Sequence, residues 1–154
     1  MAGRTGSLGK AACAAAAEAC ACHNLRKASR AVTQLFNASL LPTGLRSTQF
    51  AMLAVVRAEE PVTLGQLAQA LVMDRSTLSR NLQPLYRKGL LRIGRTSGER
   101  LGRVRLTAKG QRVLSAALPL WKRAQKQFEE QVGAVKSRTL LELLPRAADV
   151  STGG

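Results

Sequence analysis

The stretch VTLGQLAQALVMDRSTLSRNLQPLYRKGLL, residues 62–91, holds two helix starts so close together that only one short helix fits between them. Thr63 and Gln66 have capping-box spacing, in which the threonine oxygen accepts a backbone N–H and the glutamine returns a bond. Asp74 is a second N-cap, with Thr77 three residues on. Between the two lies a brief turn at Val72–Met73. Behind Asp74, Leu78, Leu82 and Leu85 fall on one helical face, and Gly89 marks the stop. Pro84 lacks the N–H that would bond the Arg80 carbonyl, so a bend or loosened turn is expected there. LLRIGR then reads as a strand, TSGERLG as a loop and RVRLT as a returning strand. In the returning strand Val104 and Leu106 alternate with Arg103 and Arg105, the period of a half-buried hairpin. Two short helices, a tight turn and a basic hairpin make a winged helix-turn-helix.

The flanks are helical. A first long helix is expected over about Ala14 to Leu40, with Leu25, Ala28, Val32, Leu35 and Phe36 on one face. LLPTGL breaks it. STQFAMLAVVRAEE follows, with Ser47 as N-cap and Phe50, Leu53 and Val56 inward, ended by Pro61. After the hairpin, TAKGQRVLSAALPLWKRAQKQFEEQVGAV is a long helix, bent near Pro119, and SRTLLELLPRAA a last one. The fold class is therefore mainly α with a small β-hairpin.

Charge narrows the partner. Twenty-four Lys and Arg face nine Asp and Glu, a net +15. The excess is concentrated between Asp74 and Arg112, where basic residues from Arg75 to Lys109 face only Asp74 and Glu99. Such clustering looks like an electrostatic footprint for a polyanionic partner rather than generic surface charge. A membrane is not expected as partner, because the central apolar run FAMLAVV is far short of the ~20 residues a span needs. The alanine-rich beginning, interrupted by Glu18, reads as a tail running into a helix rather than a leader, so a cytoplasmic protein is expected. One histidine, scattered acids and no glycine-rich phosphate loop leave no machinery for acid–base chemistry. No enzyme activity and no cofactor are expected.

Cys13, Cys20 and Cys22 raise a separate question. Cys20 and Cys22, with His23 beside them, are candidates for a redox pair or a soft-metal site, since thiolates are the ligands and nucleophiles for both. A Cys-x-Cys pair in a helix points to two faces, and packing or an idle exposed thiol fits as well.

The order of LRSTQFAML, TLGQLAQALVMDRSTLSRNLQPLYRKGLL and RVRLTAKG resembles the MarR family of bacterial transcriptional regulators, from about Cys22 to Arg146. The resemblance implies a homodimer in which helices at 14–40 and 113–148 interleave with their mates. A winged unit at 46–112 lies between them. Residues 1–13 are then a flexible tail and 149–154 a disordered one. Leu114, Leu118, Trp121, Phe128, Val132, Leu140, Leu141, Leu143 and Leu144 agree, being more apolar surface than one small winged unit covers.

By position in that family, Arg75, Ser76, Thr77, Ser79 and Arg80 read the major groove. Arginine can fork onto guanine O6 and N7, and Ser and Thr reach base edges or phosphates. Arg100 takes the wing-tip place in the minor groove, although Gly98 stands where the family has an aspartate. Arg103 and Arg105 are read as phosphate contacts. The family also implies a cleft for a small aromatic or phenolic effector, with His23, Arg26, Phe50 and Trp121 as candidate lining. The expected function is a sequence-specific repressor, released by a small molecule or an oxidant. The rivals are a nonspecific architectural DNA-binding protein, a thiol or metalloid sensor using Cys20 and Cys22, and a protein-interaction module with a vestigial wing.

Overall fold

The computed structural model describes residues 9–94 and 102–149. They form two compact units, the first ending at Leu35 and the second beginning at Phe36. The first holds α1 (Lys10–Ala19) and most of α2 (Ala21–Leu40). The expected single helix from Ala14 is therefore corrected to two. Cys20 sits between them with extended backbone at ψ 108°. Its carbonyl accepts the Asn24 N–H at 3.0 Å, and the Asn24 amide donates to the carbonyls of Glu18 at 2.8 Å and Cys20 at 3.1 Å. One side chain thus bonds carbonyls on α1 and at the break itself. Helix also begins at Lys10, inside the segment expected to be tail.

The second unit continues with a short 3-10 turn (Leu41–Thr43) and α3 (Ser47–Glu59). Arg46, not Ser47, stands at the cap, its N–H held by Gln49 Oε1 at 3.1 Å, while the Ser47 N–H donates to Asn37 Oδ1 at 2.7 Å. β1 (Val62–Thr63), α4 (Leu64–Ala70), α5 (Arg75–Arg87), β2 (Leu91–Gly94) and β3 (Arg103–Leu106) make the winged motif. α6 (Ala108–Val132) and α7 (Ala134–Asp149) follow, parted at Gly133 with φ +91°. Pro84, Pro119 and Pro145 all lie inside helices that continue through them. Pro84 lies in the last turn of α5, so it interrupts the hydrogen-bond ladder one turn from its natural end.

Both expected caps are present. Thr63 Oγ1 accepts the Gln66 N–H at 3.2 Å while Gln66 Oε1 accepts the Thr63 N–H at 3.0 Å. Asp74 Oδ1 accepts the Thr77 N–H at 2.8 Å. α5 ends at Gly89 with φ +67°, where the Gly89 N–H bonds the Tyr86 carbonyl and the Leu90 N–H bonds that of Leu85, each at 2.9 Å. These two bonds define a Schellman stop, which requires the left-handed backbone that glycine tolerates.

The sheet is larger than the expected hairpin. β1 joins it, in the antiparallel order β1-β3-β2, with Val62 opposite Val104 and Leu91 opposite Leu106. One core unites Leu53, Val56, Val62, Leu67, Leu78, Leu82, Leu85, Val104 and Leu106. Helix and sheet therefore bury their apolar faces against each other.

The backbone at 88–90 is tied tightly to the residues at 107–109. The Thr107 N–H donates to the Leu90 carbonyl at 3.0 Å and Thr107 Oγ1 to that of Gly89 at 2.6 Å. Lys109 Nζ donates to the Lys88 carbonyl at 2.7 Å. Gly110 is buried, and a Cβ placed there would fall on the Leu90 carbonyl oxygen. The end of α5 and the start of α6 are thereby held together as one piece.

Candidate nucleic-acid interface

α5 divides cleanly into two faces. Leu78, Leu82 and Leu85 are fully buried, while Arg75, Ser76, Ser79 and Arg80 are exposed. The hydroxyls on this face are not equally available. Ser76 Oγ and Thr77 Oγ1 donate to the Asp74 carboxylate at 2.7 and 2.6 Å. Those bonds, the Thr77 hydroxyl first, hold the Asp74 carboxyl well below the usual range. Ser76 and Thr77 thus serve the cap, and Thr77 Oγ1 also accepts from Arg80 Nη2 at 3.3 Å. Arg75, Ser79 and Arg80 remain as the outward set.

Arg75 leans toward the start of α4. Its Nη2 lies 3.6 Å from where a Gly65 Cβ would stand. Arg75 and Ser79 share a cleft of about 250 Å³ with Thr63, Leu64, Gly65, Leu78, Ile93 and Gly102, so α5 and the hairpin form one continuous surface. Arg80 opens onto a different cleft, beside the N-terminus of α3.

On the hairpin, Arg103 and Arg105 are half-buried rather than fully outward. Arg103 Nη1 donates to the Pro61 carbonyl at 3.2 Å, a partner supplied by the strand that the sequence did not reveal. Arg105 pairs in register with Arg92. Arg100 lies outside the described residues.

The effector candidates separate. His23 and Arg26 are exposed on α2, in the first unit. Phe50 and Trp121 belong to the second, where their rings stack with centroids 5.9 Å apart at 15°. Phe50 also lines a cleft of about 430 Å³ between α3 and α6, with Ala54, Arg57, Ala58, Gln111, Leu114, Ser115 and Leu118. Arg57, Gln111 and Ser115 were missed, although Arg57 sits two helical turns from Phe50 on the same face. Arg57 pairs with Glu60 at 2.9 Å.

The three cysteines are free and exposed. Cys20 Sγ accepts the His23 N–H at 3.4 Å, so the thiol caps α2. Among the described residues no three His, Cys, Asp or Glu side chains gather as a metal site would require. Among the same residues, no helix is long and apolar enough to cross a membrane.

A family model described as the MarR family matches residues 43–100, from the turn before α3 into the wing. The transcriptional regulator MosR of M. tuberculosis, solved in complex with DNA, is 37% identical. The match covers 86% of this chain and 98% of that one, with a TM-score of 0.75. The chain belongs to the MarR family. It is a DNA-binding transcriptional regulator of mainly helical, winged architecture. Two further proteins are similar over most of the chain. The transcriptional repressor NicR of Pseudomonas putida is 27% identical over 128 residues, 82% of this chain and 81% of NicR. The regulator PcaV of Streptomyces coelicolor, solved with its natural ligand, is 26% identical, covering 88% and 96% of the two chains with a TM-score of 0.78.

Proposed function

We propose that this MarR-family chain is a cytoplasmic homodimeric repressor whose paired α5 helices enter successive major grooves of a pseudo-palindromic site. The observation that carries the reading is the outward face of α5. It presents Arg75, Ser79 and Arg80, and its nearest acid, Asp74, is engaged by Ser76 and Thr77. Arg75 is assigned to base edges, where a bidentate contact is worth ~1–3 kcal/mol of discrimination. Arg100, Arg103 and Arg105 are assigned to the wing's contacts.

Dimerisation is supported by α7 and the middle of α6. Leu118, Val135, Leu140, Leu141, Leu143 and Leu144 all stand exposed in the single chain. A second copy that covers them spaces two α5 helices by about one DNA turn. On this reading helices at 14–40 and 113–148 are the dimerisation elements around a winged unit at 46–112. The α3–α6 cleft is assigned to a small aromatic effector, with Phe50 as apolar wall and Arg57 as the polar handle. MosR with DNA, NicR as a named repressor and PcaV with a ligand support this assignment by analogy.

The test is selection of bound genomic fragments at physiological salt, with the mass of the free protein measured by light scattering. A recurrent inverted repeat and a dimeric mass are expected. A specificity ratio near one against random duplex would favour the architectural rival.

A further inference from the structure

The cleft beside Arg80 has a composition that folding does not explain. It measures about 370 Å³ and is lined by Arg46, Thr48, Gln49, Met52, Arg80, Asn81 and Pro84. Two arginines, one at the cap of α3 and one on α5, line one space with a hydroxyl and two amides, and no carboxylate is among the lining. Neither Arg46 nor Arg80 is ion-paired among the described residues, and both are exposed. Arg46 is also poorly suited to its place. It caps α3, where a short side chain with an oxygen acceptor is favoured. A cation at the positive end of a helix works against the helix dipole rather than with it. The first turn of α3 contains no acid to offset this. The loop that delivers Arg46 is nevertheless fastened, for Lys88 Nζ donates to the Gly44 carbonyl at 2.9 Å. A residue that breaks a local rule while being held firmly in place points to function.

We propose that this cleft grips a phosphate of the DNA backbone, with Arg46 as principal ligand and Thr48 and Arg80 completing the site. The inference rests on the reading of α5 as the major-groove helix. Arg80 stands on that helix's exposed face, so the opposite wall of its cleft overhangs the strand that borders the groove. Arg46 is then a positioning contact that fixes the register of α5 without reading sequence. Arg80 divides its reach between that phosphate and the base edges.

The test is fluorescence anisotropy of the full-length protein on a labelled mixed-sequence duplex, across a salt series. Arg46→Gln should weaken binding several-fold at low salt and reduce the slope of log K against log salt by about 1 for each copy's lost contact. Arg46→Lys should keep most of the slope. Lys10→Gln, which removes one charge far along the chain on α1, should leave it unchanged. The thermal midpoint of Arg46→Gln should hold or rise, since a cation leaves the helix's positive end, whereas a purely structural arginine would lower it. If Arg46→Gln keeps the full slope of a tightly binding wild type, the phosphate site is refuted and the reading of α5 stands. If the wild type shows no salt-dependent affinity, the DNA reading falls and the site falls with it.

Discussion

Gly110→Ala tests how the end of α5 is joined to the start of α6. The added methyl group would overlap the Leu90 carbonyl oxygen and come within 3.0 Å of Leu106 Cδ2. The Leu90 carbonyl is backbone, held by its bond from the Thr107 N–H, and cannot rotate away. α6 must therefore retreat from the α5–β2 junction by about an ångström. That motion stretches the bonds from the Thr107 N–H, Thr107 Oγ1 and Lys109 Nζ to the carbonyls of Leu90, Gly89 and Lys88. Overpacking of this kind costs ~1–3 kcal/mol, and each weakened bond adds up to ~1 kcal/mol. The better helix propensity of alanine returns at most ~1 kcal/mol, and less so near a helix start. The net expectation is a loss of about 2–3 kcal/mol, or roughly 5–10 °C in Tm for a chain of this size. Urea denaturation followed by circular dichroism measures it. Gly94→Ala is the control, because among the described residues a Cβ there meets nothing within 4 Å, and it should change stability by no more than ~0.5 kcal/mol. A Gly110→Ala protein as stable as the wild type would refute the argument.

Tyr86 is the chain's single tyrosine, and its buried hydroxyl has no hydrogen-bond partner among the described residues. Tyr86→Phe should raise stability by about 1 kcal/mol in urea titration. Burial pushes the Tyr86 hydroxyl up to about 12, whereas the unfolded chain ionises near 10. Stability present below that lower value should therefore be lost as pH rises from about 10 toward 12, in step with the tyrosinate absorbance. Tyr86→Phe should abolish this part of the alkaline transition. Val72 has φ +50° in the turn between α4 and α5, a left-handed backbone that costs a β-branched residue ~1–2 kcal/mol. Val72→Gly removes that strain and adds ~0.5–1 kcal/mol of chain entropy, so thermal melting should show a small net gain. Leu141→Asp with Leu144→Asp should convert a dimer to a monomer by light scattering while helical signal persists. Retention of the dimeric mass would remove α7 from the interface.

What could be read in advance was local. Thr63 with Gln66, Asp74 with Thr77 and the glycine at 89 each act within one helical turn, so their spacing alone specifies the bond. Leu78, Leu82 and Leu85 were equally legible, because helix periodicity states which side is buried. β1 was not, since it consists of two residues whose strand character comes from pairing Val62 with Val104, far along the chain. Missing it also hid a partner of Arg103, because the Pro61 carbonyl is brought there by that pairing. The break at Cys20 carries no proline or glycine and rests on an asparagine four residues on. Ser76 and Thr77 looked like free hydroxyls because sequence shows what a side chain can donate, not which acceptor claims it. The α3–α6 cleft requires two helices to be placed face to face, which no single periodicity encodes.

The stack of Phe50 on Trp121 has a practical side. The chain contains one indole, and that indole rests against a ring forming part of the α3–α6 cleft wall. A guest that shifts the phenyl group alters the surroundings of a lone fluorophore. Emission from the native protein is thus a label-free optical gauge of occupancy, suited to screening compound collections before any DNA sequence is known.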